Sequence, residues 1–341
     1  MQHPSTDLSN VAEKTGLKSN RVEWMDVLRG IGMLLVILGH VSEQEKLVEW
    51  IYAFHMPLFF FISGWLYRKQ PIKKCICRKT ASIVVPYLSF GVILLVYWTF
   101  VERIFRPSNL SAWQGLLGLL LGREKWLDFN IHLWFLPCLF IISVMYNVLM
   151  NVGKRNIVII LALLSMLVAH IFTLPQMLWS TNKAMLYIGY FALGDLSSNL
   201  WKNEYEHKIN AIINFAICVV LWLLVWLLIP FRQAFGLLSI PVALIGIAGG
   251  IALSLALKSS KLLQHLGKIT LVILCIHGPV YRVLLKVISL VTHTGTPALR
   301  KNLVVSLFVT AVVCVLCAIV HQILNRFAPW MIGHKKSKLK T

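Results

Sequence analysis

Three ionisable residues sit in a stretch otherwise suited to a bilayer. Residues 22–40 read VEWMDVLRGIGMLLVILGH, with Asp26, Arg29 and His40 set among Ile, Leu, Met and Val. A charge at the centre of a membrane helix costs roughly 2.5–3.5 kcal/mol on insertion scales, so such residues mark sites where something compensates them. A helix turns about 100° per residue, so the 11 steps from Arg29 to His40 bring the two within about 20° of each other. Asp26 lies one turn before Arg29 and is its neighbour on that face. The polar stripe predicts a face turned to the bundle interior or a water-filled cavity, with Arg29 and His40 about 16 Å apart along the axis. A structural Asp26–Arg29 pair with His40 reaching the interface would account for any one of these residues. It accounts less well for three on one stripe.

A second stretch, FHMPLFFFISGWLY, holds His55 near the start of a span, with Pro57, Ser63 and Gly64 beyond it. About four residues join it to the first span, which predicts a tight antiparallel hairpin with His40 and His55 lining one cavity. IHLWFLP (131–137) places His132 and Trp134 at the entry to another span, where an aromatic belt is the plain reading. LGKITLVILCIHGPVY (266–281) places His277 in mid-span, followed by Arg282 and Lys286. Ser63, Trp134 and His277 are the remaining groups expected to contact a substrate. Histidine suits general acid–base work. The sequence has no G-x-S-x-G elbow, no H-E-x-x-H, no P-loop and no G-x-G-x-x-G. His40 and His55 offer two metal ligands with no evident third, so no metal is expected. What remains is proton transfer, either with a substrate hydroxyl or along a pathway.

The elements that must hold these residues follow from composition. The chain has 341 residues, 58% hydrophobic and 13% charged, with mean hydropathy +0.74. Apolar runs of about 20 residues, the length that crosses a bilayer, recur near 24–42, 47–67, 81–101, 133–151, 156–174, 184–199, 209–229, 237–257, 268–290 and 303–325. The expected fold is an all-α polytopic integral membrane protein of about ten transmembrane helices. The net charge of +20 invites a nucleic-acid partner, but its distribution argues for topology instead. With both termini cytoplasmic, 21 of the 33 Lys and Arg fall inside, nine outside and three within spans, as the positive-inside rule requires. The organisation expected is a cytoplasmic tail over 1–23, a membrane domain over 24–325 and a basic cytoplasmic tail over 326–341. The first 20 residues lack an apolar core, so no cleavable signal peptide is expected. WQGLLGLLLG (113–122) is too short to span and reads as interfacial or re-entrant. Of seven cysteines, five fall in predicted spans, and the C-x-x-C at 314–317 reads as packing.

The order D-V-L-R-G-I…L-G-H, then F-H-M-P-L-F-F-F-I-S-G, then a basic loop ending V-V-P-Y, then L-W-F-L-P, then L-G-K-I-T-L…I-H resembles the membrane acyltransferase-3 family, whose members O-acylate cell-surface glycans. Arg29-x10-His40 matches that family's first-helix signature, and the wording looks most like its fucose 4-O-acetylase-like branch. Two positions depart from the pattern: Ser82 stands where a second basic residue is common, and Thr270 where a serine is. The resemblance implies a multi-pass protein of the cell membrane that uses cytoplasmic acyl-CoA, usually acetyl-CoA, as donor. It implies a sugar or polysaccharide acceptor, which is lipid-linked in some cases. Arg68, Lys69, Lys73, Lys74, Arg78 and Lys79 would then face the CoA phosphates, although positive-inside charge explains them equally well. His40 would act as general base and Arg29 would orient the donor or stabilise developing charge, balanced by Asp26. His55 would assist, and an acyl-histidine variant stays open. The rival classes are a proton-coupled transporter of glycans or small molecules and a non-catalytic scaffold.

Overall fold

A bilayer offers the backbone no water to bond, so long apolar runs close their own hydrogen bonds as helices. The computed structural model describes residues 23–172, 174–200, 210–234 and 236–333, and all regular structure among them is helical. The expected tail over 1–23 lies, apart from Glu23, outside the described residues, as does the end of the C-terminal tail.

Helix α1 (Glu23–Val41) is enclosed by the rest of the bundle. Of its apolar window 72% is buried, against 22% for the stretch Ala211–Arg232. The first is therefore a central helix and the second faces outward. The second expected span is two helices, α2 (Glu45–Tyr52) and α3 (His55–Trp65), broken at Ala53–Phe54. Pro57 sits in the first turn of α3, where its missing N–H costs no helical bond. Helix α4 (Ile72–Lys79) passes through a π-helical turn (Thr80–Val84) into α5 (Val85–Tyr97), and a second π-helical turn follows at Trp98–Glu102. Most of the expected basic loop is thus the solvent face of α4. Cys75 is buried there, while Lys73, Lys74, Cys77 and Arg78 are exposed.

Helix α6 (Ala112–Leu121) is the short apolar piece. Its start is fixed by a Ser111–Gln114 capping box, and Tyr87 donates to its Leu119 carbonyl at 2.6 Å. After it come α7 (Phe135–Val152), α8 (Arg155–Ile171), α9 (Thr181–Leu200), α10 (Ala211–Ala234) and α11 (Ser239–Ala256). The chain continues through α12 (Lys261–Lys268), α13 (Thr270–Thr292), α14 (Thr296–Lys301) and α15 (Leu303–Phe327).

Among the described residues eight helical stretches are long and apolar enough to cross a membrane, with α2 and α3 counted as one and α4 and α5 as another. The expected fifth and sixth spans are helices too, but α8 has 17 residues and α9 ends in the polar run GDLSSNL. At 1.5 Å per residue α8 is about 26 Å long, short of a typical ~30 Å hydrocarbon layer. Small residues permit the tightest crossings. A Cβ on Gly64 of α3 would collide with the backbone carbonyl of Phe191 in α9.

Candidate functional site

The end of α1 that carries His40 meets the start of α3 that carries His55, so the hairpin brings the two rings to a centroid distance of 6.4 Å. Two more histidines close in. His132, in the helical turn Ile131–Trp134 that leads into α7, lies 4.0 Å from His40 between ring centroids. His277 of α13 lies 5.5 Å from His40 and 4.4 Å from His132. One ring nitrogen from each of His40, His132 and His277 falls within 4.8 Å of the others.

Local hydrogen bonds orient these rings. His277 Nδ1 lies 2.8 Å from the Ile273 carbonyl and His55 Nδ1 lies 3.0 Å from the Ile51 carbonyl. A carbonyl only accepts, so each Nδ1 carries the proton and each Nε2 presents its lone pair. His40 Nδ1 lies 2.8 Å from Tyr52 Oη, which in turn donates to the Gly39 carbonyl at 3.2 Å. Tyr52 has one proton; given to the Gly39 carbonyl, it leaves Oη to accept from His40 Nδ1, with His40 Nε2 bare. The Nε2 atoms of His132 and His277 are buried with no hydrogen-bond partner in the protein.

The sequence explains how the 130–132 turn comes so near α13. Pro279 has no N–H, so the Cys275 carbonyl four residues earlier lacks its helical donor. Asn130 Nδ2 supplies one at 2.6 Å. Gly278 leaves the room: a Cβ there would lie 2.9 Å from His132 Cδ2 and 3.1 Å from Asn130 Oδ1.

The end of α1 is held from the other side. Arg300 of α14 donates to the His40 and Val41 carbonyls, each at 3.0 Å, and pairs with Glu43. A cation on the last carbonyls of a helix both caps it and meets its dipole. Nearby, Glu102 in the second π-helical turn is fully buried between two guanidiniums, with Arg106 Nε and Arg282 Nε each 2.7 Å from its Oε1. Arg106 also donates to Asp128 Oδ1 at 3.0 Å. Burial alone would raise the Asp128 carboxyl, but hydrogen bonds from Ser108 and Arg106 and the charges of Arg106 and Arg282 outweigh it. The net effect holds Asp128 below the usual carboxylate range.

His40 and His55 open onto a cavity of about 1200 Å³, lined also by Tyr52, Trp134, Tyr187 and Tyr281. That exceeds a typical small-ligand pocket of ~300–1,000 Å³. Trp134 and Tyr187 stack at 6.0 Å, and Lys183 Nζ sits 3.8 Å over the Trp134 ring. The cavity has room for a flat polar ring beside these aromatic side chains, with the histidines on its wall.

Of the residues expected at the site, His40, His55, Trp134 and His277 converge here. The others do not. Asp26 is buried and Arg29 lies 3.5 Å from it, at the opposite end of α1 and outside the cavity lining. Ser63 Oγ donates to the Phe59 carbonyl of its own helix at 2.8 Å. Arg68 donates to the Tyr67 carbonyl at 2.7 Å and borders a second, smaller pocket of about 360 Å³ with Lys69, Arg155 and Asp195. Lys73, Lys74 and Arg78 are exposed on α4, and Lys79 is half-buried. Trp24 and Trp65 meet at 5.3 Å, so the Arg29 end of α1 and the Arg68 end of α3 lie together. Arg29, Arg68 and the basic residues of α4 form one end of the bundle, and the histidines lie at the other.

His132 is the central residue that sequence reasoning passed over as part of an aromatic belt. Its signal was a histidine two residues after an asparagine at a span entry, which needs a folded partner to acquire meaning. Tyr52 was legible in principle, three residues before His55 and so on the same face. Glu102 and Arg106, four apart, were a local pair that sequence reasoning passed over, whereas nothing local named the partners of Arg282 and Arg300, which are distant in sequence.

The acyltransferase domain family matches residues 22–322, and the chain belongs to that family. It is similar to the nodulation protein NolL of Sinorhizobium fredii, with 29% identity over 133 residues, 35% of this chain and 34% of that protein. The chain thus matches about a third of the length of that curated relative. No solved structure matches.

Proposed function

We propose that this member of the acyltransferase family moves an acyl group, acetyl in the simplest case, from acyl-CoA to a hydroxyl of a cell-surface glycan or its lipid-linked precursor. The observation that carries the reading is His40 on the wall of a large aromatic-lined cavity, with its Nδ1 proton engaged by Tyr52 and its Nε2 lone pair free. The acceptor hydroxyl gives its proton to His40 Nε2 as its oxygen forms a bond to the thioester carbonyl carbon. The tetrahedral intermediate then breaks its C–S bond. The CoA thiolate leaves and takes the proton back from His40, so the base is regenerated. General base catalysis of this kind contributes about 10²–10⁴-fold.

On this reading acyl-CoA approaches from the cytoplasmic, Arg29 end. Arg68, Lys73, Lys74, Arg78 and Lys79 attract its phosphates there. The pantetheine arm runs along α1 for the roughly 16 Å between Arg29 and His40. Trp134 and Tyr187 wall the part of the cavity in which the sugar ring sits, and His55 helps to seat the acceptor. The test is His40→Ala. The purified variant should insert and unfold like the parent yet lose glycan acylation by at least about 10²-fold, read by mass spectrometry as a missing acyl group per sugar. Activity near the parent level would remove His40 from the chemistry. A proton-coupled transporter would instead show pH-driven flux that needs no acyl-CoA.

A further inference from the structure

His132 and His277 raise a question that base catalysis by His40 does not answer. Both are buried, 7% and 0% exposed, and the Nε2 of each has no partner in the protein. A buried polar atom without a partner costs free energy, and native structures keep few of them. Here two such atoms face a third imidazole, with all three ligand nitrogens within 4.8 Å. We propose that His40, His132 and His277 form a binding site for one divalent transition-metal ion of the Zn²⁺ class, and that its occupancy switches acyl transfer off by engaging the lone pair His40 needs as base. The consequence for activity rests on the reading of His40 given above. The metal site itself does not.

Three features match what such an ion requires. The donors are neutral imidazoles, the ligand type preferred by Zn²⁺, Co²⁺, Ni²⁺ and Cu²⁺. Two carry the supporting hydrogen bond on the far ring nitrogen that fixes the metal-binding tautomer: His277 Nδ1 to the Ile273 carbonyl and His40 Nδ1 to Tyr52 Oη. The cavity leaves an open side for a further ligand, as in three-histidine sites. Zn–N bonds of about 2.0–2.1 Å bring ligand nitrogens to roughly 3.4 Å apart in a tetrahedron, so a small ring rotation closes the site. The nearest guanidiniums do not forbid a cation, since Arg282 is paired with Glu102 and Arg300 with Glu43.

The experiment is a Co²⁺ titration of the full chain, purified in detergent without a polyhistidine tag and stripped with EDTA. The expected result is one Co²⁺ per chain with visible d–d absorption bands, displaced by Zn²⁺. His132→Ala and His277→Ala should weaken binding at least about tenfold, because loss of an outer-shell partner alone costs 10–100-fold. His170→Ala, in the last turn of α8 and outside both the cavity lining and the histidine cluster, should not weaken it. If a variant folds poorly, His132→Asn and His277→Gln replace it, and the rise in melting temperature on adding Zn²⁺ is read instead: present in the parent, absent in the variants. Acyl transfer should be full after EDTA and fall when Zn²⁺ is added. Absence of Co²⁺ binding, or binding undiminished in the His132 and His277 variants, would overturn the site. EDTA-stripped protein that regains activity only with Zn²⁺ would overturn the inhibitory role. Stripped protein inactive with and without Zn²⁺, but with Co²⁺ binding intact, would leave the metal site standing and sink the reading of His40 as base.

Discussion

A residue's chemistry here depends on what holds its far side. His40 can accept a proton because Tyr52 fixes its Nδ1 and Arg300 fixes the carbonyls beneath it. Arg300 is therefore a positioning residue. Arg300→Ala should lower kcat for acyl transfer more than it raises KM, and should cost about 1–2 kcal/mol of stability through the lost cap. Arg300→Lys keeps the charge but not the fork, so it should restore the melting temperature more than kcat. Unchanged kcat in Arg300→Ala would refute the positioning role. Asp128 allows a pH test. Its folded carboxyl titrates below the ordinary value of 3.8, so its stabilising contribution is full above that value and is lost as pH falls through the folded value. The stability gap between the parent and Asp128→Asn should be constant from neutral pH down to about 5 and should close in stronger acid. A gap unchanged at low pH would argue against a charged role for Asp128.

At the scale of elements, breaks in regular helix place the chemistry. The gap at Ala53–Phe54 starts α3 at His55. Pro279 frees the Cys275 carbonyl for Asn130, which anchors the turn that presents His132. The π-helical turn Trp98–Glu102 puts a carboxylate in the interior, in keeping with the frequency of such turns at functional sites. Gly278→Ala forces a Cβ to within 2.9 Å of His132. It should cost about 1–3 kcal/mol from overpacking and move His132, which a His132 Cδ2 shift in NMR of labelled protein would report. Glu102→Ala leaves Arg282 with a buried charge and should destabilise by about 3–5 kcal/mol, seen as a lower melting temperature. A Glu102→Ala protein as stable as the parent would mean that water already solvates the pair.

Over the whole molecule, the two ends of the bundle differ in kind: Arg29, Arg68 and α4 lie at one, the histidines and the large cavity at the other. From the charge asymmetry, the positive-inside rule predicts that the first end faces the cytoplasm. Of the seven cysteines six are buried and Cys77, on α4, is exposed. A membrane-impermeant maleimide should leave Cys77 unlabelled in intact cells and label it after permeabilisation. In a Cys77→Ser background, a cysteine placed by Asn109→Cys at the exposed cavity rim should show the reverse. Labelling of Cys77 from outside would invert the topology.

Hydropathy and charge alone determined that this chain is a helical membrane protein, because the bilayer imposes length and polarity on each span separately. Helical periodicity likewise put Asp26 beside Arg29, and a short connection put His40 near His55, since both are local geometry. The meeting of His132 and His277 with His40 was decided only by tertiary structure. Positions 40, 132 and 277 are separated by whole helices, and no periodicity relates them. The same holds for Glu102 with Arg282 and for Arg300 with the end of α1. Such pairs form because burial leaves each group no water to turn to, and which partner it finds depends on how the helices pack.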